Sequence, residues 1–186
     1  MKTWNLSIPL TDSITILPRI GDTVFVSGTN YTARDTAHKR LIDLMKQNKQ
    51  LPFELKGQVI FFVGPTPPLP GYEIGSAGPT TSGRMDAFSP LLLDCGLKAM
   101  IGKGPRNSQV VESIIKNKAL YLIAVGGIGA LISKSIKKSK VIAFPELGPE
   151  AIRELEVDKL PTIVGIDVKG NDLYKKGPEN YLNQVR

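Results

Sequence analysis

The sequence predicts an α/β fold, a parallel sheet covered by helices with additional antiparallel strands, and three observations predict it. From Ser89 onward, short apolar runs alternate with helix-period segments, the βαβα order that builds a parallel sheet. The run Val59-Ile-Phe-Phe-Val63 is apolar on both faces, as a strand in the middle of such a sheet must be. The first third is rich in short strand candidates, which are expected to supply the antiparallel part.

Taken in order, Lys2–Ile8, Ser13–Leu17 and Thr23–Gly28 read as strands. Asp35 is placed to cap a helix over Thr36–Gln47, with Ala37, Leu41, Leu44 and Met45 on one face. Gln58–Val63 is the buried strand. Gly64–Gly71 holds too many prolines for helix or sheet and reads as an extended loop. A helix with Pro90 in its first turn runs to Cys95 and stops at Gly96. Then come strand Lys98–Gly102, helix Gln109–Ile115, strand Leu120–Val125, a Gly126–Gly129 turn opening a helix to Ile136, and strand Val141–Phe144. A short helix over Pro149–Leu155 and a strand Thr162–Val168 close the pattern.

With 186 residues, 41% of them hydrophobic and 22% charged, the chain is expected to form a single domain over residues 1–186. The one cysteine and one histidine exclude an intramolecular disulfide and cannot ligate an iron–sulfur cluster or zinc within this chain. Cys95 reads as a small buried apolar residue behind Leu91-Leu92-Leu93, and the expected location is a reducing cytoplasm. No apolar run reaches membrane-spanning length, and Met1–Leu6 lacks the apolar core of a signal peptide. The net charge of +7 is partly local to Lys134–Lys140. That run reads as the exposed end of a helix entering a strand, and no aromatics interleave with it as a nucleic-acid platform requires. The basic balance suits an anionic substrate or an acidic partner subunit.

The candidate chemistry gathers in Gly78-Pro-Thr-Thr-Ser-Gly-Arg-Met-Asp86. Thr80, Thr81 and Ser82 lie between Gly78 and Gly83, glycines let backbone N–H groups approach an anion, and Arg84 offers a planar fork of donors for a carboxylate or phosphate. A surface turn whose hydroxyls cap the next helix is the competing reading. Ligands of a parallel sheet collect beyond the carboxyl ends of its strands. Arg34 with Asp35, Lys103, and the Gly126–Gly129 turn are expected there. His38 falls one helical turn beyond Arg34, where a structural and a catalytic role are both open. Gly126-Gly-Ile-Gly129 is not a dinucleotide fingerprint, since Ile132 stands where the third glycine belongs.

The segments Ser27–Arg40, Gly78–Asp86, Gly102–Gly104 and Gly126–Leu131 together resemble the β subunit of two-subunit class I fumarases. The same region forms the C-terminal domain of the one-chain enzymes, and the β subunit of L-tartrate dehydratase is similar. The resemblance runs through nearly the whole chain. It implies a swivelling β/β/α domain of three layers, a partner α subunit carrying a [4Fe–4S] cluster, and a hetero-oligomer such as α2β2, with a homodimer possible for the chain alone. It implies Arg34 and Arg84 on substrate carboxylates, Lys103 as a further anion contact, and Thr80 at the reacting carbon in proton transfer, with Asp35 and His38 as catalytic candidates. Thr81, Ser82 and Gly83 complete the substrate-binding loop. The implied function is reversible hydration of fumarate to malate by a shared active site. L-tartrate dehydration is the alternative, and a non-catalytic module for an anionic metabolite or nucleotide is the rival from another class.

Overall fold

A computed structural model describes residues 1–185. Its strands are β1 (Thr3–Ser7), β2 (Thr23–Thr32), β3 (Val59–Phe61), β4 (Ala99–Gly102), β5 (Leu120–Ile123), β6 (Ile136–Ala143) and β7 (Ile152–Ile166). Its helices are α1 (Asp12–Thr15), α2 (Asp35–Lys46), α3 (Ser89–Asp94), α4 (Ser108–Lys116), α5 (Gly129–Ile132) and α6 (Leu173–Val185). Short 3₁₀ turns at Ser82–Met85, Ser133–Ser135 and Pro145–Glu150 complete the pattern.

The strands form one seven-stranded sheet in the order β1-β2-β3-β4-β5-β7-β6, with β2 also pairing β7. β1 through β5 are mutually parallel neighbours, and β7 runs antiparallel to β2, β5 and β6. The pairings β2–β3–β4–β5–β7–β2 therefore close on themselves. Because side chains alternate across a strand, this closure divides the apolar residues into two cores. Val24, Val59, Phe61, Ile101, Leu122 and Val164 pack on the inner side. Ile60, Phe62, Met100 and Tyr121 pack on the outer side, where Leu41 of α2, Leu92 of α3 and Ile114 of α4 cover them. Each of α2, α3 and α4 lays a buried stripe on the sheet.

The expected parallel sheet under helices is present, and five details differ from the sequence reading. Ser13–Leu17 is not a strand. Asp12–Thr15 is a helical turn, because the Thr15 hydroxyl donates to the Lys118 carbonyl oxygen (2.6 Å) and the Asp12 carboxylate takes Lys98 (2.7 Å) and Lys118 (3.1 Å). The antiparallel strands come from the second half of the chain, not the first, since β1 and β2 are parallel. Pro149–Leu155 is not a helix either, because residues from Ile152 belong to the 15-residue strand β7. Ile152 and Leu155 are both buried three positions apart, which is the spacing that reads as helical, and the two register irregularities of this pair of strands place their extra residues on β6. The lysines at 137, 138 and 140 lie on β6 rather than on a helix end, and Lys138 pairs Glu156 across the strands at 2.7 Å. The sequence reading also assigned no element to Leu173–Val185, which is α6.

Candidate active site

Arg34 leaves the end of β2 in extended conformation (φ −115°, ψ −165°) and sits at the N-cap position of α2, with no side-chain cap. Asp35 is therefore inside the first turn of the helix rather than its cap. Two carboxylates meet the Arg34 guanidinium: Glu150 at 3.3 Å, and Asp35 at 4.0 Å. The guanidinium also lies against Gly64, where a Cβ would come within 2.9 Å of Nη1 and 3.0 Å of the Pro149 carbonyl oxygen. The second Asp35 contact is Arg84, whose Nη2 donates to Oδ2. Asp35 Oδ1 and Arg34 Nε are buried and have no hydrogen-bond partner among the described residues.

The Gly78–Asp86 loop is fastened to the ends of β3 and β4 by its backbone. Thr80 N–H donates to the Phe62 carbonyl (2.7 Å), Lys103 N–H to the Thr80 carbonyl (3.3 Å), and Ser82 N–H to the Lys103 carbonyl (2.8 Å). Lys103 Nζ then lies 3.4 Å from the Thr81 hydroxyl. The hydroxyls do not cap the following turn: Thr81 is its N-cap residue and makes no side-chain cap bond. Ser82 is fully buried and its Oγ lies 2.9 Å from the Tyr121 hydroxyl. Only glycine fits at 102 beneath it, since a Cβ would come within 2.0 Å of Ser82 Oγ. On the other flank, Ala77 N–H donates to the Gly129 carbonyl (3.0 Å), so the Gly126–Gly129 turn is a wall of this loop. Arg84 and Gly83 are exposed, and Thr80 and Lys103 are partly exposed.

His38 lies apart from these groups. It is 0% exposed, its ring packs edge-on to Phe62 at 5.2 Å, and Nδ1 donates to the Arg34 carbonyl oxygen at 2.9 Å. Burial in this apolar setting holds its pKa down, to about 4, against the opposing pull of that bond to Arg34, with Arg106 lowering it further. The imidazole is neutral and its Nε2 has no partner among the described residues.

The sequence reading missed a buried network under the loop. Arg106 Nε donates to Asp86 Oδ1 (2.6 Å), its Nη2 to Ser89 Oγ (2.7 Å), and the second Asp86 oxygen accepts the Asn107 N–H (2.8 Å). The guanidinium lies over the rings of Phe62 (5.4 Å) and Tyr121 (5.1 Å). The one signal in the sequence was that Asp86 ends the distinctive loop and Arg106 follows Lys103 by three residues.

A family model described as the fumarase C-terminus matches residues 4–177. The chain belongs to the fumarase C-terminus family. Among proteins with which members of this family can be compared, fumarate hydratase 2 of Leishmania major is 40% identical over 159 residues, which is 84% of this chain and 28% of that protein. The anaerobic class I fumarate hydratase of Escherichia coli K12 is 40% identical over 153 residues, 81% of this chain and 28% of that enzyme. The L(+)-tartrate dehydratase subunit beta of the same organism is 36% identical over 160 residues, covering 83% of this chain and 78% of that subunit. The chain thus spans about 28% of the length of the fumarate hydratases it matches, and most of a β subunit. In this fumarase C-terminus chain, the four segments that carried the resemblance come together at one end of the sheet.

No three His, Cys, Asp or Glu side chains among the described residues are grouped as a metal site requires. Cys95 is not buried as the sequence suggested: it is exposed at the C-cap of α3, where the helix ends and its side chain turns out beside Lys56 in a groove lined by Leu51 and Phe53. These residues do not fit an iron–sulfur cluster. No helix of the described residues is long and apolar enough to cross a membrane.

Proposed function

We propose that this chain is the β component of a two-subunit hydro-lyase that interconverts fumarate and L-malate, with its active site completed by an α subunit. The observation that carries the reading is the convergence of Arg34, Arg84, Lys103 and Thr80 from three separate segments at the carboxyl ends of β2, β3 and β4, in a member of the fumarase C-terminus family. Three cations around a partly open loop suit a dianionic ligand. Each arginine already meets a carboxylate of the chain, Glu150 for Arg34 and Asp35 for Arg84, a measure of how well these forks accept one.

In this reading Arg34 and Arg84 bind the two substrate carboxylates, and Lys103 is a further contact to the same anion. Thr81, Ser82 and Gly83 shape the loop. Thr80 is held by its backbone, and no hydrogen bond among the described residues engages its hydroxyl, which leaves that hydroxyl for proton transfer at the carbon next to a carboxylate. Asp35 tunes and orients Arg84. His38, wholly buried, acts on the backbone of Arg34 rather than on substrate.

The [4Fe–4S] cluster of the reading belongs to the α subunit, since this chain lacks ligands for it. Residues 1–186 act as one domain in a cytoplasmic hetero-oligomer such as α2β2. In this reading the chain is a swivelling β/β/α domain of three layers, supported by the parallel strands β1–β5, the antiparallel partners β6 and β7, and the helices packed on the outer side. The L-tartrate reading is favoured by one observation, the 78% coverage of a tartrate dehydratase β subunit.

The test is reconstitution. The purified chain alone is expected to show no hydratase activity, and mixing it anaerobically with its cognate α subunit restores malate–fumarate interconversion. Turnover of tartrate but not malate selects the second substrate, and robust turnover by the isolated chain in iron-free buffer refutes the shared site.

A further inference from the structure

Lys103 enters the site on a loop whose backbone is tied on every side. Its N–H donates to Thr80 and its carbonyl accepts from Ser82, both within the recognised motif. The next residue is tied by two tyrosines that the motif does not contain. Gly104 N–H donates to the Tyr174 hydroxyl (2.8 Å), and the Gly104 carbonyl accepts from the Tyr121 hydroxyl (2.8 Å). Gly104 has φ +84°, a conformation in which a glycine peptide rotates with little steric restraint, so what bonds to that peptide decides where Lys103 points.

The two tyrosines differ in kind. Tyr121 comes from β5, is fully buried and also reaches Ser82, so it is part of the core. Tyr174 comes from the start of α6, 70 positions away from Gly104, and is 37% exposed. Its own N–H donates to the Asp172 carboxylate at 2.9 Å, and Asp172 is 4% exposed, so the phenol is delivered from a fixed helix start. A core that needed only to satisfy Gly104 could leave that N–H to water. Here a side chain from the last helix takes it, one residue from an active-site cation.

We propose that Tyr174 is a positioning residue, whose hydroxyl holds the Gly104 N–H and thereby aims Lys103 at the bound carboxylate. The inference rests on the reading of Lys103 as a substrate contact. Through this bond the C-terminal helix α6 is coupled to ligand binding, although Tyr174 itself touches no reacting atom.

The test uses Tyr174→Phe, which keeps the ring on α6 and removes only the hydroxyl. In the complex with the cognate α subunit, KM for L-malate rises about 3- to 10-fold while kcat stays within about twofold, since a contact made equally in ground and transition states affects binding alone. In a Lys103→Met background the same substitution adds nothing to KM, because the residue it positions is gone. A KM effect of equal size in that background, or no effect in the native one, overturns the inference. A second arm needs no substrate. In the full chain labelled with ¹³C-lysine, Tyr174→Phe shifts the Lys103 side-chain resonance and speeds exchange of the Gly104 amide. An unchanged Lys103 resonance overturns the inference as well. If these spectral changes occur while the unaltered complex turns over neither malate nor tartrate, the hydro-lyase reading fails and the positioning of Lys103 by Tyr174 stands.

Discussion

Arg84 donates to the carboxylate of Asp35, 49 positions earlier in the chain. The pair joins the exposed loop after β3 to the first turn of α2, and it places the second proposed carboxylate clamp beside the first, since Asp35 also lies 4.0 Å from Arg34. Asp35 fills part of the fork that a substrate carboxylate would use. Its Oδ1 is buried without a partner among the described residues.

Arg84→Lys preserves the charge and loses the planar fork. The expected loss is about 1.5–3 kcal/mol of charge-assisted binding, or about 10- to 150-fold in kcat/KM. Stability should hardly change, because Arg84 is 52% exposed and such pairs contribute only about 0–1 kcal/mol. Steady-state kinetics of the reconstituted complex beside thermal melts check both halves. A variant that unfolds yet keeps its activity when folded would make the loop structural only.

Thr80→Val deletes the hydroxyl at nearly constant volume and leaves Arg84 and Lys103 in place. If the hydroxyl moves a proton, kcat falls about 10²- to 10⁴-fold with little change in KM, and Thr80→Ser recovers part of the rate. Because Thr80 caps no helix, the melting temperature should stay put in both variants. Wild-type kcat in the valine variant removes Thr80 from the mechanism.

His38 gives the fold a pH dependence of definite sign. Its pKa falls from 6.5 in the unfolded chain to about 4 in the folded one, mainly through burial. The unfolded chain therefore binds a proton first, and stability present above pH 6.5 is lost as pH falls towards 4, by about 3 kcal/mol in all. Urea denaturation at about pH 7, 6, 5 and 4.5 measures it. His38→Asn retains a donor for the Arg34 carbonyl and should flatten this segment of the profile. An unchanged profile in that variant would assign the dependence to other groups.

Arg106→Met breaks a buried ion pair by removing one partner. Asp86, 8% exposed, is left with the Asn107 N–H but without its counter-charge, at a cost of about 3–5 kcal/mol. The double variant Arg106→Met, Asp86→Leu should recover a good part of that loss, since the uncompensated charge is gone. Equilibrium denaturation of the three proteins decides. A single variant as stable as the native chain would show that Asp86 is solvated or protonated at no cost.

Period and turn chemistry made much of the sheet legible. The all-apolar run at Val59–Val63 needed both faces buried, and the closed pairings of the strands supply two cores to bury them. Gly96, at φ +99°, stopped α3 where the sequence placed a stop. The segment after Pro149 misled because Arg153-Glu-Leu-Glu156 has the composition of a helix and Ile152 and Leu155 stand three positions apart. There, pairing with β2 on one edge and β6 on the other overrode the local preference. The site was legible as a set of residue types: hydroxyls between glycines, then an arginine, with further cations after other strands.

The sequence by itself determined what each short segment could become, because backbone conformation and hydrophobic period depend on neighbours within a few residues. The stop at Gly96, the turn at Gly126–Gly129 and the anion-seeking character of Arg84 are of this kind. Only the tertiary structure decided which groups face one another. It set Asp35 against Arg84, Glu150 against Arg34, Asp86 against Arg106, and the hydroxyl of Tyr174 against the amide of Gly104. These partners lie 20 to more than 100 positions apart, and the short range of hydrogen bonds and ion pairs lets them act only after the strands have closed on themselves.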